Sequence, residues 1–278
     1  MLKLIIGSVA TVLLASVAYA GSEVFVGRRV AGTTSLDRID HSAWDTLLKK
    51  YVDDDGMVNY RAWHSSPADT RALDQYLATL STGRANQATN NGKLAFWINA
   101  YNAVTIRGIL REYPTTSIRN HTARLFGYNI WKQLQLYVGG KPHSLEGMEH
   151  EILRKMNEPR IHFAVVCASI GCPRLLNQAY TPENVQQQLE SNAKDFFRRS
   201  RNFRHDQAGN RFYVSEILSW FATDFGANQA TQLKRISQWL PTAAAQQAAQ
   251  RNTVSLSYLD YNWNLNEQAS GTRVTAGR

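Results

Sequence analysis

The sequence predicts an α+β fold: a single domain with a helical shell packed on a small, mainly antiparallel sheet and one helix buried at its centre. Three observations carry that prediction. Apolar residues recur at helical spacing along most of the chain, while short apolar runs of strand length are confined to the middle and the C-terminal third. The stretch from Lys93 to Tyr113 is apolar on most of its faces, as a helix enclosed on all sides must be. No internal repeat and no Gly/Pro/Ser-rich linker divides the chain.

The elements follow in order. Lys3, the apolar stretch Leu4 to Val17 and then Ala18-Tyr19-Ala20 read as a secretory signal with a cleavage site after Ala20. The apolar run is shorter than the roughly 20 residues a membrane span needs. Residues 21–35 read as a flexible leader, 36–266 as the domain and 267–278 as a disordered tail. Leu36 to Tyr51 carries Ile39, Trp44, Leu47, Leu48 and Tyr51 on one helical face, and Asp55-Gly56 between short apolar flanks predicts a tight turn. Helices are expected over Thr70 to Leu80 and Lys93 to Tyr113, the latter stopped by Pro114. Tyr128 to Trp131 and Gln135 to Val138 read as strands before the turn Gly139-Gly140. Ser144 is a cap for a helix from Leu145 to about Met156, and Ile161 to Cys167 reads as a strand covered on both faces. Thr181-Pro182 opens a helix running to about Arg199; further helices start at Ser215, Leu233 and Thr242, and Ser255 to Tyr261 is the last strand.

A hydrophobic fraction of 44 % argues against disorder, and nothing after Ala20 is long and apolar enough to cross a bilayer, so the mature chain is expected in the periplasm or outside the cell. The formal charge of +9 permits an anionic partner, yet the basic residues are scattered. Their densest cluster, Arg198-Arg199-Ser200-Arg201, sits where a helix dipole favours cations, and no basic motif interleaved with aromatics suggests nucleic-acid binding.

Chemistry concentrates between Glu149 and Cys172. The only two cysteines, Cys167 and Cys172, flank Ala168-Ser169-Ile170-Gly171. His162 precedes them, and Glu149-His150 lies on the helix before that. A nucleophilic thiol needs help to ionise, and an imidazole base needs an orienting carboxylate or amide. Cys172 or Cys167 is thus the candidate nucleophile, His150 or His162 the base, and Asn99 or Asn102 of the central helix the orienting or oxyanion amide. Glu149 and His150 are helix neighbours whose side chains diverge by about 100°; His150 is the one expected to face the site. The competing reading is a Cys167–Cys172 disulfide in an oxidising compartment, with His162 simply satisfied in the core. His150, His162, Cys167 and Cys172 show no recognised zinc spacing, and no metal or other cofactor is expected.

Several segments together resemble the DUF547 family of bacterial exported and plant proteins. They are Asp40 to Trp44, Tyr51 to Tyr60, Leu94-Ala95-Phe96-Trp97-Ile98-Asn99-Ala100-Tyr101-Asn102-Ala103, Glu149 to Arg154, Arg160 to Ser169 with Gly171-Cys172-Pro173, and Tyr180 to Val185. The resemblance implies a single domain in which Trp97, Asn99, Asn102, His150, His162 and the cysteine segment form one characteristic surface or core. It implies no established activity. The ingredients are also similar to those of papain-like thiol enzymes, but Phe96-Trp97-Ile98-Asn99 stands where their central helix would begin with cysteine. Two functions are therefore expected: an envelope thiol hydrolase or acyl transferase acting on an amide, ester or thioester, or a non-catalytic module that binds a small molecule or peptide over a structural disulfide, its pocket rimmed by Trp97, Tyr101 and the histidines.

Overall fold

A computed structural model describes residues 23–86, 88–122 and 128–269. The signal and most of the expected tail lie outside the described residues. The fold is α+β, built on small mixed sheets. The chain runs β1 (Val24–Val26), β2 (Thr34–Ser35), α1 (Ser42–Tyr51), α2 (Tyr60–His64), α3 (Pro67–Leu80), β3 (Gly83–Arg84) and α4 (Asn90–Glu112). It continues through α5 (Ile130–Gln133), β4 (Leu134–Val138), β5 (Lys141–Ser144), a π-helix (Gly147–Leu153) and 3₁₀ turns at Arg154–Met156 and Pro159–Phe163. After a long irregular stretch come α6 (Val185–Arg198), β6 (Phe203–Asp206), β7 (Arg211–Ser215), α7 (Ile217–Trp220), α8 (Ala222–Phe225), α9 (Gln229–Ile236), α10 (Ala243–Arg251) and β8 (Ser255–Leu259).

Instead of one mainly antiparallel sheet there are three small ones, ordered β1-β4-β5, β2-β3 and β6-β7-β8. The pairs β1-β4, β2-β3 and β7-β8 are parallel, and β4-β5 and β6-β7 antiparallel. The parallel pairs join strands far apart in sequence, which hairpin reasoning from neighbouring turns cannot anticipate. For the same reason the expected leader is not loose from Val24 on. Val24–Val26 pairs with Leu134–Leu136, Phe25 stacks on Tyr137 at 4.9 Å, and Thr34–Ser35 pairs with Gly83–Arg84. The expected tail also begins ordered: Glu267 bridges to Val58 and accepts a bond from the Tyr113 hydroxyl, and the Gln268 side chain donates to the carbonyls of Tyr51 and Met57.

The central helix α4 begins where Thr89 accepts a bond from the Gly92 amide and ends one residue before Tyr113-Pro114, because proline cannot continue the ladder. From Leu94 to Ile106 every residue is buried, so α4 is the axis of the larger core. A second, phenylalanine-rich core gathers Phe163, Phe196, Phe197, Phe212 and Phe225. The segment from Pro159 to Cys172 runs along the seam between the two cores.

That segment is not the expected strand. Residues 159–163 form a 3₁₀ turn, with Pro159 in its first turn and the Glu158 side chain capping Arg160, and the chain beyond is extended but joins no sheet. Its unbroken apolar character reports burial on every side, which a buried loop shares with a buried strand. Tyr128 to Trp131 likewise leads into α5, because Asn129 caps the amides of Trp131 and Lys132. The turn at Gly56 holds the far end of the segment. Its φ of +78° is a region open chiefly to glycine, and a Cβ there would stand 2.5 Å from the Leu175 amide nitrogen.

Candidate functional site

Two side chains of α4 replace the sheet that the extended segment lacks. Asn102 donates to the Ala164 carbonyl (3.0 Å) and accepts from the Val166 amide (2.9 Å). One turn earlier Asn99 holds Tyr180 in the same way, at 2.8 and 3.0 Å. Both amides are buried and fully engaged with backbone. Asn102 positions the chain entering the cysteine loop and Asn99 the chain at Tyr180, and neither lines the cavity.

The loop itself is sharply bent. Ala168 sits at φ +58°, a left-handed conformation costing about 1–2 kcal/mol for a residue with a Cβ. The C-terminal segment pins it there. The Ile170 and Gly171 amides donate to the carbonyls of Asn264 and Asn262, and Asn266 donates to Ala168. The bend turns both cysteines to one side. They are unbonded, with their sulfurs 2.7 Å apart, beyond the roughly 2.05 Å of a covalent disulfide.

Donors crowd the Cys172 sulfur. It receives the Cys167 amide N–H at 3.0 Å and the Tyr261 hydroxyl at 3.1 Å, with the Ser169 hydroxyl at 3.3 Å and the Cys167 thiol close by. Burial alone would push this thiol up, but the bonds from Cys167, Ser169 and Tyr261 outweigh it and pull Cys172 down to about 6. Cys167 goes the other way: its bond to Cys172, then burial, raise it well above the ordinary thiol value. The arrangement of donors thus favours the thiolate at Cys172 and the thiol at Cys167.

Both cysteines line a cavity of about 160 Å³ whose remaining polar groups are Tyr101, Glu149, His162 and Tyr261. Trp131, Val165, Ile217 and Phe221 supply apolar wall, and Trp220 and Trp263 stand in the same lining, with Trp220 45 % exposed. Of the helix pair Glu149-His150, it is Glu149 that faces the cavity. Residues 147–153 form a π-helix, whose wider turn changes which side chains point inward, and such segments concentrate at functional sites. Burial, opposed by His150 and by a bond from Tyr101, and reinforced by the Cys172 charge, raises Glu149 toward its protonated form.

His150 points away, with Nδ1 3.0 Å from an Arg154 guanidinium nitrogen. The same guanidinium grips Asp224 through two bonds of 2.7 Å, and Asp224 lies 2.8 Å from His162 Nε2. The Arg154 bond, opposed by burial and helped by His162, holds Asp224 down at about 2. An ionised carboxylate only accepts, so Nε2 of His162 carries the proton and Nδ1 keeps its lone pair. That Nδ1 is buried with no partner among the described residues. Burial drives His162 down to about 4 against the opposing pull of Asp224, so the ring is neutral at pH 7.

Trp97 packs on His143 at 5.0 Å and is not part of this cavity. Among the described residues no group of three or more His, Cys, Asp or Glu side chains converges as a metal site, and no helix is long and apolar enough to cross a membrane. Sequence reasoning missed Tyr261, Asp224, Arg154 and Ser169. Tyr261 and Trp263 lie some 90 residues beyond the cysteines, in an irregular segment with no periodicity to mark it.

The neutral histidines make stability depend on pH. His162 and His41, the latter pushed by burial to about 4 despite Asp40 and Glu183, have native values below their unfolded ones. The unfolded chain binds more protons, so their contribution is complete above about pH 6.5 and is lost as pH falls toward 4. Each is expected to cost on the order of 2–3 kcal/mol over that window. Urea midpoints at pH 7, 5.5 and 4.5 check this: the wild-type midpoint falls steadily, and His41→Gln falls less steeply. A midpoint flat from pH 7 to 4.5 would contradict it.

The family model DUF547, described as a protein of unknown function, matches residues 85–197. That stretch holds α4, the π-helix, His162 and both cysteines, while the wall from Ile217 to Trp263 lies beyond it. No curated protein and no solved structure matches the chain.

Proposed function

From its cavity we propose that this chain, whose residues 85–197 match the DUF547 family model, is an exported thiol enzyme that transfers or hydrolyses an acyl group. The observation that carries the proposal is the Cys172 sulfur, ringed by N–H, O–H and S–H donors and open to a cavity that also holds a protonation-prone carboxyl and a neutral imidazole. Because donors already favour its thiolate, Cys172 does not need a histidine to deprotonate it. It attacks the carbonyl carbon of a bound ester, thioester or amide. Glu149, hydrogen-bonded to Tyr101, gives its proton to the departing group, whose bond to the carbonyl breaks as the thioester forms. Water or another acceptor then attacks the thioester, Glu149 or His162 Nδ1 takes up its proton, and the Cys172 thiolate leaves. Asp224 and Arg154 keep the His162 ring in the tautomer that task requires. Binding of a small molecule or peptide is part of this reading; a nucleic acid or a resident cofactor is not.

The test is to trap the intermediate. Mixing the reduced full-length protein with a phenyl thioester and quenching in acid is expected to add one acyl group to the peptide that contains Cys172. An unmodified peptide under conditions of turnover, or an adduct elsewhere, overturns the assignment.

A second reading rests on the 2.7 Å between the sulfurs. Oxidation in the envelope would need little movement to join them, leaving a binding module with a structural bridge and no nucleophile. Mass analysis of protein recovered from the periplasm under thiol-trapping conditions separates the two. A pair that is oxidised, and gains no reactivity when reduced, favours the binding module.

A further inference from the structure

The size and polarity of the cavity carry the reading one step further, to the class of acyl group. Apart from the Cys172 sulfur and the Glu149 carboxyl, the side chains that line it carry no charge. The His162 ring is neutral, the Glu149 carboxyl leans toward its neutral form, and the remaining wall is aromatic or aliphatic apart from the hydroxyls of Tyr101 and Tyr261 and the cysteines themselves. Among the described residues no amide, guanidinium or ammonium side chain lines it. A sugar ring or a charged amino-acid side chain placed here would lose its hydrogen bonds to water and find few in return. The volume sets the scale of the group it can enclose. An apolar protein cavity of about 150 Å³ stays dry and takes a benzene molecule, and this one is about 160 Å³. A long fatty chain exceeds it, and an acetyl group leaves most of it empty.

We propose that the cavity beside Cys172 seats one apolar group of about six carbons, so that the substrates are esters, thioesters or amides of small apolar acids, of the hexanoyl or phenylacetyl kind. This assignment rests on the thiol reading of the same site. The carbonyl carbon lies at the sulfur, where the Cys172–acyl bond forms as the bond to the leaving group breaks. The apolar substituent points toward Val165, Ile217 and Phe221, and the leaving group exits past Trp220. Hydrolysis of the thioester then consumes one water: its oxygen joins the acyl carbon, one proton returns to Glu149, and the thiolate is regenerated. Ile217, 5 % exposed on α7 and remote in sequence from the cysteines, sets the depth available to the acyl group.

The experiment is a ladder of thioesters of one small thiol, carrying acetyl, butanoyl, hexanoyl, phenylacetyl and decanoyl groups, measured on the reduced full-length protein and on Ile217→Ala and Val165→Phe. Because each methylene fitted or excluded by an apolar pocket changes the rate roughly 10-fold or more, kcat/KM is expected to peak at hexanoyl and phenylacetyl, at least 10-fold above acetyl and decanoyl. Ile217→Ala is expected to move the peak to longer chains. Val165→Phe is expected to lower hexanoyl at least 10-fold more than acetyl, erasing the preference for six carbons. In parallel, N-methylphenylacetamide and N-methylacetamide are titrated calorimetrically into Cys172→Ser, which reads the cavity without turnover. Turnover with no dependence on chain length overturns the size assignment and leaves the thiol reading intact. No turnover on any rung, with N-methylphenylacetamide binding to Cys172→Ser that adding Val165→Phe abolishes, overturns the thiol reading and leaves the cavity assignment standing. Neither turnover nor binding overturns both.

Discussion

Replacing Cys172 by serine is expected to reduce acyl transfer by about 10³-fold or more, whereas replacing Cys167 by alanine is expected to produce a loss that depends on pH. The asymmetry follows from which sulfur collects the donors. Cys172 receives bonds from the Cys167 amide and the Tyr261 and Ser169 hydroxyls in addition to the Cys167 thiol. A serine oxygen in that position remains protonated at any pH the fold tolerates, so the attacking anion disappears; losses of the size named are typical when a nucleophile is removed. Cys167→Ala removes one donor of several. A hydrogen bond to a charged group contributes about 1.5–3 kcal/mol, so the midpoint for forming the thiolate should move up by about one to two pH units. The activity of Cys167→Ala should therefore drop roughly 10-fold at pH 6 and recover by pH 9. Tyr261→Phe should behave in the same way, because its hydroxyl plays the same part. Steady-state rates across pH 5.5–9 check all three variants. If Cys167→Ala were the dead variant and Cys172→Ser active, the roles of the two sulfurs would be reversed.

The second large effect falls on stability. Asn102→Leu keeps much of the side-chain volume but leaves the Ala164 carbonyl and the Val166 amide buried without partners. Each orphaned group costs about 1–3 kcal/mol, so a loss of about 2–6 kcal/mol is expected, a large share of the 5–15 kcal/mol that holds a typical domain together. Asn102→Asp preserves the acceptor for Val166 but places a carboxylate against the Ala164 carbonyl, and should be at least as damaging. Urea denaturation reads the loss directly. Hydrogen exchange at Val166 should accelerate in Asn102→Leu more than exchange in β6 and β7, because the extended segment has no neighbouring strand to hold it. A Leu variant as stable as the wild type would show that the amide clamp does not matter.

These two effects also show what the sequence could convey. The buried character of Lys93 to Tyr113 was legible because a helix covered on all sides must be apolar all round, and α4 is that helix. The tight turn at Asp55-Gly56 was legible because only glycine takes the required φ easily. Asn99 and Asn102 stood out as polar residues on an otherwise apolar helix, but an amide held by backbone and an amide aimed at a substrate look alike in one dimension. The covering of Ile161 to Cys167 was right and its conformation was not, since burial does not reveal that side chains of a helix supply the hydrogen bonds a neighbouring strand would otherwise give. Helical spacing separates Glu149 from His150, as found, but does not say which of the two faces inward; the preference for an imidazole base selects His150, and the cavity takes Glu149. Asp224, Tyr261 and Trp263 were beyond reach because contacts across 60 to 90 residues leave no local pattern.

All of the proposed chemistry depends on Cys172 being an accessible thiolate near neutral pH. The most direct measurement is the pH dependence of iodoacetamide alkylation in the reduced, folded, full-length protein, followed residue by residue through peptide mass analysis. The reagent is small enough for a cavity of about 160 Å³. Labelling of Cys172 is expected to rise with a midpoint near 6, with Cys167 far slower across the range. Labelling of Cys172 that climbs only around the roughly 8.5 of an ordinary thiol, or that occurs only once the protein is unfolded, would contradict the account.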